Sequence, residues 1–336
     1  AVEAGYRTGY FGKWHLGGVG YGPAEQGWQE AEEMKGNVQK SGGKVQRTTE
    51  LLAERGEDFL RRHKDKPFLL QLSHTAVHIP LSTTPELLSK YRAKPPMPGY
   101  PSNPEYAGLL EELDAAVGRI VTAVDDAGIK ERTLILFLSD NGGLEHEQSG
   151  RVVTSNKPLR SEKGTLYEGG IRIPALARWP GTVAQGGECS TPLITMDFFP
   201  TVLDLTGAAA PGTQPLDGLS LLPVLKDAAA SVPRTSLFWH LPHYHHSTPA
   251  SAVREGDWKL IEFFEDGRRE LYHLSADPGE QQDLSQTEPE RVRRLHASLT
   301  DWRSRVKARM PVPNPDHDPA KANEMAKGKR ASAERE

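Results

Sequence analysis

Cysteine is nearly absent from this 336-residue chain, with Cys189 standing alone. That excludes an intrachain disulfide framework and leaves a cysteine-built zinc site almost without ligands. An excess of charge is lacking too: 41 Lys and Arg face 45 Asp and Glu, a formal charge of −4. Neither nucleic acid nor an anionic membrane is indicated as a partner. No run approaches the ~18 apolar residues of a membrane-spanning helix, and the most apolar stretches, such as residues 134–138, are strand-sized. The start has no Met and none of the charged and apolar regions of a signal peptide. Residues 1–4 before Gly5 read as the last turn of a helix, so the chain is expected to begin inside a fold.

Pro and Gly are abundant. The 26 Pro and 32 Gly make up about 17% of the chain against ~12% in an average protein, which predicts many loops between short elements. Residues 6–15 read as a strand running into glycines 17, 18 and 20, with Lys13 and His15 on one face by the period of two. Residues 22–44 read as a surface excursion and 48–62 as a helix. The apolar run 68–72 predicts a buried parallel strand, followed by a loop that carries His74 and His78. In residues 106–127 apolar side chains recur every three or four positions and Gly128 follows, which predicts a helix. Residues 133–139 then predict a second buried strand, with Asp140-Asn141-Gly142-Gly143 at its carboxyl end. Helix, strand and polar loop in repetition mark an α/β fold, whose ligands gather at the carboxyl ends of strands. Strand-like character returns over 171–179, and 196–205 reads as a helix.

Beyond about residue 230 the pattern changes to short strands at 235–239, 252–264 and 269–274 with turns between them, then a helix over 289–307. The expected organisation is a catalytic domain over 1–230, a smaller α+β subdomain with an antiparallel sheet over 231–310, and an extended or disordered tail over 311–336.

Taken singly, each polar candidate has a plain alternative: Lys13 and Lys163 as solvated cations, His15, His74 and His78 as loop residues, Asp140-Asn141-Gly142-Gly143 as turn chemistry. Together they suggest more. Asp140 and Asn141 offer oxygen ligands suited to a hard cation such as Ca²⁺ or Mg²⁺. Lys13, His15, His78 and Lys163 add two fixed cations and two imidazoles. A divalent ion among Lys and His suits a tetrahedral oxyanion ester, since cations offset charge on non-bridging oxygens and a His can protonate the departing alcohol.

Four segments, in order, then resemble one family. Gly5-Tyr6-Arg7-Thr8 with Gly12-Lys13-Trp14-His15-Leu16-Gly17 resembles the second signature of the sulfatases, the arylsulfatase family of the alkaline-phosphatase-like superfamily. His78-Ile79-Pro80 resembles its His-x-Pro loop, Ser139–Gly143 its metal loop, and Lys163–Pro174 its substrate-lysine segment. The likeness continues more weakly through 254–261, 270–274 and 277–280. It implies an alkaline-phosphatase-like mixed sheet flanked by helices and hydrolysis of a sulfuric ester on a carbohydrate or aryl sulfate. It also implies Asp140 and Asn141 as ligands of Ca²⁺ (or Mg²⁺), Lys13 and Lys163 holding the sulfate, His78 as general acid, and His15 as the base that helps sulfate leave. Phe11 stands where the signature usually has a small or aliphatic residue.

The family's nucleophile is a formylglycine made from a Cys/Ser-x-Pro-x-Arg motif. Neither the neighbourhood of Cys189 nor Ser231-Val232-Pro233-Arg234 matches it, so the motif and further metal ligands are expected upstream of residue 1, and the chain alone is expected to be inactive. A periplasmic or secreted protein is implied, with any export signal also upstream. Residues 239–246 pack four His and two aromatic residues together. His243 and His245 are the expected substrate contacts there, joined by His74, Asn156 and Arg160. Two alternatives remain open: a phosphate or phosphonate monoester hydrolase of the same superfamily, and a non-catalytic binder of sulfated glycans.

Overall fold

The structure, a computed structural model, describes residues 1–316 and 318 apart from 42, 149, 211, 213 and 214. The expected tail from residue 319 onward lies outside the described residues. The chain divides into two compact units. One takes Ala1–Pro96, Asn103–Phe137 and Leu176–Pro233, and the other Met97–Ser102, Leu138–Ala175 and Arg234–Glu336.

In the first unit β1 (Arg7–Gly12) is the centre of a parallel sheet, flanked by β2 (Glu30–Glu33) and β3 (Phe68–Ser73). Helix α1 (Thr48–His63) covers it, packing Leu51, Leu52 and Phe59 against Phe11 and Met34. Gly9 makes this approach possible, because a Cβ there would lie 2.6 Å from the Phe59 ring. Helix α2 (Pro104–Asp126) begins at Asn103, whose side chain accepts from Tyr106 N, and carries Pro in its first turn. Its Val124 joins Leu60 and Ile129 in a second cluster. β4 (Ile135–Leu138) pairs with β5 (Ala175–Arg178), and α3 (Phe198–Thr206) ends at Gly207 in the left-handed region.

Three expectations need correction in this unit. The first strand stops at Gly12, where φ is 118°, so Lys13 and His15 do not share a strand face. The excursion after Gly22 contains β2 and a hairpin joining Val38–Ser41 to Lys44–Arg47. The sequence of β2, Glu-Ala-Glu-Glu, has no apolar alternation to reveal it. β3 and β4 are half-buried rather than buried, because among the described residues each pairs along one edge only.

The second unit holds a four-stranded antiparallel meander of β6 (Ser236–Leu241), β7 (Ala250–Glu255), β8 (Trp258–Phe263) and β9 (Arg269–His273). A turn at Gly256, φ 57°, splits the run 252–264 that reads as one strand in the sequence. Both faces of this sheet are covered. Ala250, Ala252, Ile261, Phe263 and Tyr272 pack on Leu166 and Tyr167. Val253, Leu260 and Leu271 pack under Leu295 and Leu299 of α4 (Pro289–Arg305).

Candidate active site

In the first unit the site residues follow from the end of the parallel sheet. The β1–β3 register pairs Gly12 with Ser73, so Lys13 and His74 emerge next to each other at the strands' carboxyl ends, where α/β sheets present ligands. Gly12 is required for this closeness: a Cβ would lie 2.1 Å from the Ser73 carbonyl oxygen. Lys13 N donates to that oxygen at 2.8 Å, and the Tyr10 hydroxyl donates to Lys13 O. The Lys13 ammonium has no partner among the described residues. His15 is exposed one step further along.

His74 Nδ1 is sealed from solvent without a hydrogen bond, and burial pushes its imidazole down to about 4. The ring is therefore neutral near pH 7. The loop after it is braced by Asn37, a buried residue whose amide donates to His78 O at 2.8 Å and Pro80 O at 3.0 Å. The His78 ring meets the Ile79 carbonyl through Nδ1 at 2.5 Å. A carbonyl only accepts, so Nδ1 carries a proton. Asn37 is absent from the sequence reading, and nothing in its local pattern marks it.

In the second unit the loop Asp140–Gly143 and the turn at Lys163 form one frame. Gly143 N donates to Asn156 Oδ1 at 2.9 Å, and the Asn156 amide donates back to Gly143 O and to Ser161 O, each at 2.9 Å. Lys163 N donates to Gly143 O at 3.1 Å. Gly142 N donates to Gly170 O at 3.0 Å, and a Cβ on Gly142 would lie 1.7 Å from Gly169 O. Asn156 thus spends its side chain on the backbone. Arg160 is likewise engaged within the protein: Nη1 donates to the Tyr272 hydroxyl and to Glu280 O, and its guanidinium lies 4.0 Å from the Tyr167 ring centre.

The working ends are left open. Asp140 is exposed and its carboxylate has no partner among the described residues, nor does the Lys163 ammonium. Asn141 donates through Nδ2 to Gly142 O, which leaves Oδ1 available. Two hard oxygen donors side by side suit Ca²⁺ or Mg²⁺ as part of a shell of six or more. They do not complete one: no group of three or more His, Cys, Asp or Glu gathers for a metal among the described residues.

Beside Lys163 lie histidines from distant segments. His245 packs on Gly164 so closely that a Cβ there would be 1.9 Å from its ring nitrogen. His246 Nδ1 is 3.4 Å from Glu162 Oε1 and its ring stacks on His146. His243 is exposed. Below this layer lies a buried charge network that the sequence reading does not contain. Lys259, fully buried, meets Glu168 and Glu280 at 2.9 Å each. Burial pushes the Glu280 carboxyl up, against the pull of Lys259. The one signal for it is a lysine on the same strand face as Ile261 and Phe263 in β8.

Residues 1–208 match the family model Sulfatase, and residues 161–305 match N-sulphoglucosamine sulphohydrolase, C-terminal. A sulfatase of Formosa agariphila is 35% identical over 68% of this chain and 44% of its own. Human arylsulfatase A is 34% identical over 66% of this chain and 45% of its own, and mouse steryl-sulfatase 36% over 58% and 30%. The chain thus spans less than half the length of these curated relatives. Among solved structures, Ps i-CgsB in complex with k-i-k-neocarrahexaose superposes with a TM-score of 0.78 at 25% identity, over 90% of this chain and 72% of that one. BT4656 in complex with D-glucosamine-2-N,6-O-disulfate gives 0.73 at 21% identity, over 91% and 81%. No helix among the described residues is long and apolar enough to cross a membrane.

Proposed function

Because this chain belongs to the sulfatase family, we propose that it works in a sulfuric ester hydrolase acting on a sulfated carbohydrate or an aryl sulfate. Asp140 and Asn141 hold a divalent cation, Ca²⁺ or in its place Mg²⁺, which withdraws charge from the sulfate oxygens. Lys13 and Lys163 bind those oxygens as fixed cations. His78, with Nδ1 committed to the Ile79 carbonyl, delivers a proton from Nε2 to the leaving oxygen and is left as the neutral Nδ1–H tautomer. His15 takes up a proton as sulfate departs. His74, neutral and half-buried, offers a hydrogen bond without charge, and His243 and His245 contact the organic part of the substrate. Asn156 and Arg160 act by holding the frame. A formylglycine, where the family's motif is present, supplies the attacking oxygen.

One observation carries this reading. The loop Asp140–Gly143 is joined to the Lys163 turn through Asn156 and Gly143, while the Asp140 carboxylate and Lys163 ammonium stay without partners among the described residues. Charges left open on a braced frame can receive a ligand without rearrangement. In the full protein Lys163→Ala is expected to lower kcat for p-nitrophenyl sulfate by about 10²–10³-fold with an unchanged Tm. Wild-type turnover in that variant would remove Lys163 from the chemistry.

A further inference from the structure

The C-terminal sheet does more than complete a core. On β8 the side chains of Lys259, Ile261 and Phe263 alternate with Leu260 toward one face, and Ile261 and Phe263 pack on Leu166 and Tyr167. Lys259 is 0% exposed on that same face, with Nζ 2.9 Å from Glu168 Oε1 and 2.9 Å from Glu280 Oε1. Glu280 in turn accepts from Glu168 N through Oε2 at 2.7 Å. Its carbonyl accepts from Arg160, whose own carbonyl accepts from Gly169 N at 2.8 Å. The backbone so fixed, residues 168–170, is the surface on which Gly142 rests: Gly142 N donates to Gly170 O, with no room for a Cβ against Gly169 O. From Lys259 to the loop bearing Asp140 and Asn141 the contacts are continuous.

We propose that Lys259, acting through Glu168 and Glu280, is a positioning residue for the metal loop Asp140–Gly143. The proposal rests on the metal-dependent reading above. A well-packed apolar cluster would stabilise this interior as well as a buried ion network does. What the network adds is geometry, since one ammonium between two carboxylates fixes the start of the short helix Glu168–Ile171 and, with it, the two carbonyls under Gly142. Groups that orient metal ligands from outside the ligand shell typically change metal affinity about 10- to 100-fold when altered.

The test uses the full protein in wild-type form and as Lys259→Met, Lys259→Arg and Glu280→Gln. Metal-free samples are compared by hydrogen exchange over residues 138–146 and over α4, and Ca²⁺ is titrated calorimetrically. In Lys259→Met we expect faster exchange at 138–146, unchanged exchange in α4, and Ca²⁺ affinity about 10- to 100-fold weaker. Lys259→Arg should recover part of both, and Glu280→Gln should show the same pattern to a smaller degree. Unchanged exchange at 138–146, or an equal loss in α4, would overturn the proposal. If Lys259→Met does not fold, Glu280→Gln decides, and wild-type exchange at 138–146 in it would overturn the proposal. A wild-type protein that binds no Ca²⁺ would sink the metal-dependent reading instead, with the exchange comparison still deciding the positioning role.

Discussion

His74 shows how surroundings set what a ring can do. Its imidazole is pushed down to about 4 from an ordinary 6.5, so the unfolded chain takes up a proton well before the folded one. The stability tied to the neutral ring is complete above about pH 6.5 and is lost as pH falls toward 4. Between pH 7 and pH 5 the loss is on the order of 2 kcal/mol. His74→Gln is expected to lack this component, so urea unfolding at the two pH values should differ by that much less than in wild type. An equal pH dependence would show that His74 is not the group responsible. Asn156 sits in the opposite situation, with three backbone groups depending on its amide. Asn156→Ala is expected to cost about 1–3 kcal/mol in denaturant unfolding, because Gly143 N, Gly143 O and Ser161 O lose a partner in a half-buried setting. For His243, exposed and unconstrained, replacement by Ala should raise KM for a glycan substrate with little effect on Tm.

At the scale of elements, close packing of backbone decides where the loops sit. Gly142→Ala would place a methyl 1.7 Å from Gly169 O, a backbone atom that cannot swing away. The variant is expected to weaken Ca²⁺ binding by displacing Asp140 and Asn141, as read by calorimetry, and an affinity equal to wild type would show the loop to be more pliable than its contacts suggest. In α4, Leu295 is fully buried against the sheet, and Leu295→Ala is expected to cost about 2–5 kcal/mol. Elements with a strong period were legible in the sequence: the expected helix 106–127 is α2, Pro104–Asp126, and the expected helix 289–307 is α4, Pro289–Arg305. Elements set by tertiary contact were not. β2 has charged residues in place of an apolar stripe and exists because β1 pairs with it. The end of β1 was hidden as well, because what stops it is the carbonyl of Ser73, far along the chain, approaching Gly12.

The whole molecule separates what a motif reveals from what only three dimensions do. Lys13, Asp140, Asn141 and Lys163, the residues proposed for the site, stand in motif segments that can be read directly from the sequence. The braces behind them cannot. Asn37 reaches its partner across 41 residues of sequence, and Glu168 meets Lys259 and Glu280 across 91 and 112, and a single buried lysine in a strand gives little warning. Each unit has cores of its own, and each presents polar loops held by such braces. The family membership rests on 1–208 and the lysine turn through α4 on a second model over 161–305, so the two matches overlap at the segment containing Lys163. The most direct measurement is hydrolysis of p-nitrophenyl sulfate and p-nitrophenyl phosphate, side by side, by the full protein with Ca²⁺ and after chelation. Sulfate release that exceeds phosphate release and disappears with the metal is expected. Metal-independent turnover, or a preference for the phosphate ester, would contradict the assignment of Asp140, Asn141 and the two lysines to a sulfate.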